Sequence, residues 1–191
     1  MTTAFIFPGQ GSQHVGMAKD YFRKYKAIFR ELFDEANDVL GFNLKQLCFY
    51  GPLDQLTATE VTQPAILTVS VGVLRLFVAE GILPDMVAGH SVGQFAALVA
   101  AEVVDFADAL KIVRKRGQYM SDVKQLGGMV AVVTANERQI DNILSMCDLY
   151  DLDFAAYNSL NQVVFSGSIA KIQNLHNQIS GIPGVRVFVV R

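Results

Sequence analysis

Through the first two thirds of the chain, short apolar runs alternate with longer stretches of helical period. Ala4–Phe7 is an apolar run stopped by Pro8-Gly9, the pattern of a buried strand entering a tight loop. Residues 19–40 place Phe22, Phe29, Leu32, Phe33 and Ala36 on one side of a single predicted helix, with Gly41 as its stop signal. A second long helix is predicted over 63–80, with Pro64 in its first turn, where a missing N–H is tolerated. Residues 86–88 read as another short strand ending at Gly89, and 94–101 as a helix. Asp105 then caps a further helix to about residue 120. Alternation of this kind predicts an α/β fold, with a parallel sheet covered by helices.

The rhythm changes after Gly127-Gly128. Strands are predicted over 129–134, 154–157, 162–166 and 185–190, the middle two joined by a turn at 158–161. Thr134-Ala135-Asn136-Glu137 has the form of a capping box opening a helix to about residue 146, and Ser168 caps another to about residue 179. The order β-α-β-β-α-β is that of a ferredoxin-like unit. Two regions are therefore expected, residues 1–125 and 126–191.

Composition narrows the classes. With 51% apolar and 18% charged residues, the chain can bury a core and is not expected to be disordered. A net charge of -2 argues against nucleic-acid binding, which needs a clustered basic excess. Cys48 and Cys147 lie far apart in apolar settings and suggest neither a disulfide framework nor a metal site. The apolar stretches 64–79 and 95–104 are interrupted by Ser70 and Arg75, and by Glu102. Neither gives the roughly 18–20 uninterrupted residues of a membrane span, and the first residues lack the basic start of a targeting signal. A cytoplasmic protein is expected.

The chemistry centres on Gly89-His90-Ser91-Val92-Gly93, which matches the nucleophile elbow G-x-S-x-G with a strand before it and a helix after it. The glycines are expected to permit a sharp turn that lifts the Ser91 hydroxyl. The helix behind it offers free N–H groups and a positive dipole end to a developing oxyanion. Phe7-Pro8-Gly9-Gln10-Gly11-Ser12-Gln13 lacks the Lys-Ser/Thr ending of a P-loop and is better used as a second source of backbone donors beside the serine. Arg116 has Ile112, Val113, Tyr119 and Met120 at helical spacing, which puts it on an apolar stripe, while Lys111, Arg114 and Lys115 face solvent more. An inward guanidinium needs an anion, either a bound carboxylate or an internal Asp or Glu. Of the three histidines, His90 should point away from Ser91 around the turn, His14 lies in the glycine loop, and His176 sits within the last helix. None is a ready general base.

These segments, with Thr62-Gln63-Pro64-Ala65, Arg116-Gly117-Gln118-Tyr119-Met120 and Asn158-Ser159 followed by Gln162-Val163-Val164, resemble the malonyl-CoA:acyl-carrier-protein transacylases and the acyltransferase domains of polyketide synthases. The resemblance runs the length of the chain. It implies an α/β-hydrolase-like large subdomain carrying an inserted ferredoxin-like small subdomain. It also implies transfer of a malonyl group from coenzyme A to a serine, then to the phosphopantetheine thiol of an acyl-carrier protein, with no resident cofactor and no metal. Carried over residue by residue, Ser91 is the acyl acceptor and Gln10 and Val92 are the oxyanion donors. Arg116 then binds the free carboxylate, with Gln63 and His90 beside the acyl group. Gln94 stands where most members have Glu. The family's catalytic histidine falls after the small subdomain, so the resemblance implies that it lies beyond Arg191 and that this chain is the N-terminal two thirds of such an enzyme, its large subdomain incomplete. An acyl-thioester hydrolase, or a non-catalytic module that binds carrier protein, are the alternatives.

Overall fold

The computed structural model describes residues 2–123 and 127–190 and divides into two compact units, Met1–Asp122 and Val123–Arg191. In the first, β1 (Ala4–Phe7) leads through the glycine loop into α1 (Lys19–Lys24) and α2 (Lys26–Leu40). The single helix expected over 19–40 is thus two. Tyr25, at φ -121° and ψ 51°, interrupts it. The break serves packing: Phe22 sets its ring edge-on to Phe49 at 5.3 Å, while α2 turns Phe29, Leu32, Phe33, Ala36 and Leu40 into the core. Each large side chain on that face contributes about 1.5–3 kcal/mol by leaving water.

Two short helices follow that the periodicity did not reveal, α3 (Leu44–Tyr50) and α4 (Leu53–Thr57). Asn43 caps α3, its side chain accepting from the Gln46 N–H at 2.9 Å. Within α3, burial pushes the Cys48 thiol up to about 12, so this cysteine packs as a small hydrophobe. Next comes α5 (Thr59–Ala79), which begins four residues earlier than expected and leaves Pro64 in its second turn. This is the one helix among the described residues long and apolar enough to cross a membrane, and two thirds of its most apolar stretch is buried in the unit. It is the core helix.

The remaining elements of this unit are β2 (Met86–Gly89), α6 (Gly93–Ala100) and α7 (Phe106–Ser121), with Asp105 capping α7 through the Asp108 N–H at 2.7 Å. Strands β1 and β2 pair in parallel, Ala4 opposite Met86 and Phe7 opposite Gly89. That register ends both strands at one level, where the glycine loop and the elbow emerge side by side.

The second unit runs β3 (Gly127–Thr134), α8 (Arg138–Leu149), β4 (Asp153–Ser159), β5 (Gln162–Ser168), α9 (Ile169–Ile179) and β6 (Val185–Val190). Its sheet has the order β4-β5-β3-β6, with every neighbouring pair antiparallel. The β4–β5 turn is tighter than expected, because Ser159 already pairs with Gln162. The cap before α8 also differs. Asn136 Oδ1 takes the Gln139 N–H at 3.2 Å, whereas Thr134 Oγ1 donates to the Asn136 carbonyl and is not the capping group. The core unites Val130, Val132, Val163 and Phe165 of the sheet with Ile140, Ile143, Ile172, Leu175 and Ile179 of the helices.

Candidate active site

Ser91 stands between the end of β2 and the start of α6, and it carries the strain of the turn itself, at φ 52°. A left-handed conformation costs a residue with a Cβ roughly 1–2 kcal/mol. The glycines of the elbow serve another purpose than the expected conformational freedom. A Cβ on Gly89 would lie 2.1 Å from the Gly93 carbonyl carbon, and one on Gly93 would lie 2.3 Å from the Phe7 carbonyl oxygen. They are there for close approach. They bring α6 down onto both strands, and the turn locks through the Gly93 N–H on the His90 carbonyl at 2.9 Å and the His90 N–H on the Phe7 carbonyl at 3.0 Å.

The loop after β1 comes against this turn. A Cβ on Gly9 would lie 2.7 Å from His90 Nδ1, so the His90 ring lies over Gly9. Within the loop, Ser12 Oγ donates to the Gly9 carbonyl at 2.9 Å and the Gly11 N–H donates to Gln13 Oε1 at 2.8 Å. The Gln10 side chain reaches Thr59 Oγ1 at 3.5 Å, linking the loop to the start of α5. Among the described residues, the backbone N–H groups of Gln10 and Val92 donate to no other protein group. Val92 occupies the N-cap of α6, where the helix dipole is positive.

Arg116 on α7 closes the site. Its Nη1 donates to Gln63 Oε1 at 2.7 Å and its Nη2 to Ser91 Oγ at 3.2 Å. Gln63 on α5 is wholly buried and turns its Nε2 to Met120 Sδ at 3.3 Å. The expected stripe is displaced: Ile112, Tyr119 and Met120 are exposed, and α7 buries Phe106, Ala109, Leu110, Val113 and Gly117 instead. Arg116 sits half-buried at the edge of that face. Lys111 pairs with Asp108 and Lys115 lies over the Tyr119 ring, whereas Arg114 is half-buried over Phe42.

The ion pairs of the first unit use Arg23, Arg30, Arg75 and Lys111, and among the described residues none involves Arg116. Among the described residues this half-buried guanidinium is held by an amide and a hydroxyl, which leaves N–H donors to spare for an anion. Gln63, Ser91 and Arg116 are thus brought together, with Val92 next to Ser91 in the chain and Gln10 in the loop alongside. Of the other histidines, His14 is exposed in the glycine loop with Nδ1 3.4 Å from the Ser12 carbonyl, and His176 is on α9 of the second unit, 3.3 Å from Ser180 Oγ. Two participants had no assigned part in the sequence reading. Met120 accepts from Gln63, and Gly117 lets α7 approach α5, since a Cβ there would lie 2.6 Å from Glu60 Cα. No group of acidic, histidine and cysteine side chains that could hold a metal occurs among the described residues.

Residues 4–190 match the family model described as the acyl transferase domain. A relative in Bacillus subtilis (strain 168), the polyketide biosynthesis malonyl CoA-acyl carrier protein transacylase PksC, is 42% identical over 170 residues, covering 88% of this chain and 57% of the relative. The crystal structure of a malonyl CoA-acyl carrier protein transacylase from Clostridium perfringens superposes with a TM-score of 0.90 at 34% identity, over 100% of this chain and 60% of that one. A malonyl-transacylase solved in complex with its type II PKS acyl-carrier protein gives a TM-score of 0.86 at 32% identity, over 98% of this chain and 62% of that one. The chain therefore spans about three fifths of the length of these proteins.

Proposed function

The chain belongs to the acyl transferase domain family, and from that premise we propose that its site accepts a malonyl group from coenzyme A on Ser91 and passes it to the phosphopantetheine thiol of an acyl-carrier protein. The observation that carries this reading is the Arg116 guanidinium, without a carboxylate partner among the described residues and 3.2 Å from the elbow hydroxyl. In a malonyl thioester one methylene separates the free carboxylate from the reacting carbonyl. A fixed cation one hydrogen bond from the nucleophile therefore suits both ends of that group at once.

In the first half-reaction Ser91 Oγ loses its proton to a general base and bonds to the carbonyl carbon. The negative charge that develops on the carbonyl oxygen meets the Gln10 and Val92 N–H groups. The C–S bond then breaks, leaving a malonyl ester, and the coenzyme A thiolate takes up a proton. In the second, the carrier thiol loses its proton, attacks the ester, and returns the proton to Ser91. Arg116 cannot be the base, because a guanidinium stays protonated. His90, against the Gly9 loop, borders the acyl-binding side. No resident cofactor is invoked, since malonyl-CoA enters as substrate and phosphopantetheine arrives on the carrier.

The first unit fits the start of an α/β-hydrolase-like subdomain, and the second, by its strand order, a ferredoxin-like one. Fatty-acid and polyketide synthesis both use this transfer, and a cytoplasmic location accords with either. A hydrolase of simple acyl thioesters would give Arg116 no task.

Intact mass spectrometry after incubation with malonyl-CoA tests the reading. The expected result is one malonyl increment that is absent in Ser91→Ala. In Arg116→Ala the preference for malonyl-CoA over acetyl-CoA should fall by about 10–100-fold, the worth of a hydrogen bond to a charged group. An increment that survives Ser91→Ala, or a preference unmoved by Arg116→Ala, overturns the assignment of that residue. Thioester cleavage without carrier protein, at the rate seen with it, would favour the hydrolase.

A further inference from the structure

Gln63 is buried to 0% exposure, and its two neighbours dictate which way its amide faces. A guanidinium only donates, and Arg116 Nη1 meets Oε1 at 2.7 Å. A thioether only accepts, and Met120 Sδ meets Nε2 at 3.3 Å. Turning the amide over would bring its N–H groups against those of Arg116 and its oxygen against the lone pairs of the sulfur. Arg116 and Met120 stand one turn apart on α7, so a single helix grips one buried amide of α5 at both ends.

We propose that Met120 is a positioning residue for the acyl-carboxylate site: its sulfur locks Gln63 with the oxygen toward Arg116, which in turn holds the guanidinium beside Ser91. The inference rests on the reading of Arg116 as the carboxylate holder. A thioether is a weak acceptor, but here it is the partner of a completely desolvated N–H, and an unpaired N–H in such a place is costly. Packing does not explain Met120, a residue 44% exposed. Replacing it with Leu keeps size and apolarity and removes only the acceptor.

The test compares Met120→Leu with Met120→Gln, whose flexible side chain restores an acceptor, a carbonyl oxygen one bond beyond the position of the sulfur. Two readouts are taken: the Gln63 side-chain amide resonances in a ¹⁵N–¹H spectrum, assigned by their loss in Gln63→Leu, and the dissociation constant for malonate. Met120→Leu should shift or broaden the Gln63 signals and weaken malonate binding about tenfold, the loss expected for one buried donor left unsatisfied. Met120→Gln should recover most of both, with melting temperatures of all three within a few degrees.

Unchanged Gln63 signals and unchanged malonate affinity in Met120→Leu overturn the proposal, as does a Gln variant no better than the Leu variant. Failure of the functional reading looks different. The unsubstituted chain would then take no malonyl on Ser91 and bind no malonate, while the Gln63 signals still respond to Met120→Leu and recover in Met120→Gln.

Discussion

Ser91 combines two costs that an ordinary turn residue avoids, a left-handed backbone at φ 52° and a hydroxyl turned to a cation instead of to solvent. Glycine would remove the first, saving about 1–2 kcal/mol of conformational strain against roughly 0.5–1 kcal/mol of extra chain entropy in the unfolded state. Ser91→Gly should therefore raise the melting temperature by a few degrees while abolishing acylation. Ser91→Ala, which keeps the strain and also loses acylation, should show no such rise. Thermal denaturation followed by circular dichroism separates the two, and equal melting temperatures would mean that the turn stores no strain. At this scale the sequence was informative where a residue's placement follows from a short motif. The turn at Ser91, with its strand and its helix, could be read directly, and so could the inward tendency of Arg116. The partners of Arg116 could not. Gln63 lies 53 positions away, and only the crossing of α5 with α7 brings the two together. Met120 gave no polar signal at all, since a methionine four residues from an arginine reads as packing.

At the scale of elements, the site depends on how closely α7 lies on α5. Gly117 sets that distance. A Cβ there would sit 2.6 Å from Glu60 Cα and 2.8 Å from the Thr59 carbonyl oxygen, both backbone atoms with nowhere to go. Gly117→Ala gains about 1 kcal/mol of helix propensity but incurs about 1–3 kcal/mol of overpacking. The expected result is a slightly lower melting temperature and a clear loss of malonyl incorporation, because Arg116, the adjacent residue, is carried away from Gln63. A higher melting temperature with incorporation intact would show that the helices can absorb a methyl group. Element order was legible for the same reason that this contact was not. Strands β1 and β2, helix α6 and the capped helix α7 announce themselves by local pattern. The break at Tyr25 does not, because it answers to Phe22 meeting Phe49. Helices α3 and α4, of seven and five residues, are too short for a period to show. A local sign of α3 existed nonetheless in Asn43 three residues before Gln46, the spacing of an N-cap and its partner. At α8 the capping-box pattern pointed to Thr134, yet that hydroxyl donates to the Asn136 carbonyl and Asn136 caps instead.

For the whole molecule the governing fact is that the described residues form two cores. One gathers α2, α3, α5, α6 and α7 behind the Ser91–Arg116 site. The other lies between the β4-β5-β3-β6 sheet and α8 and α9, and each is a separate cluster of buried side chains. Separate cores of this kind are expected to give departures from all-or-none unfolding. Phe165 is the largest fully buried residue of the second core, and Phe165→Ala should cost that unit about 3–5 kcal/mol. A four-stranded sheet with two helices is small enough for this to remove much of its stability. Hydrogen exchange read by mass spectrometry should then show faster exchange across β3–β6, α8 and α9, while β1, β2 and α5–α7 keep their protection. Every group assigned to the first half-reaction except the base belongs to the first unit. The variant should therefore retain the Arg116–Gln63 contact and whatever malonyl uptake the unsubstituted chain shows. Equal loss of protection in both units would mean that they fold as one cooperative body, and the site would have to be understood as a property of the pair.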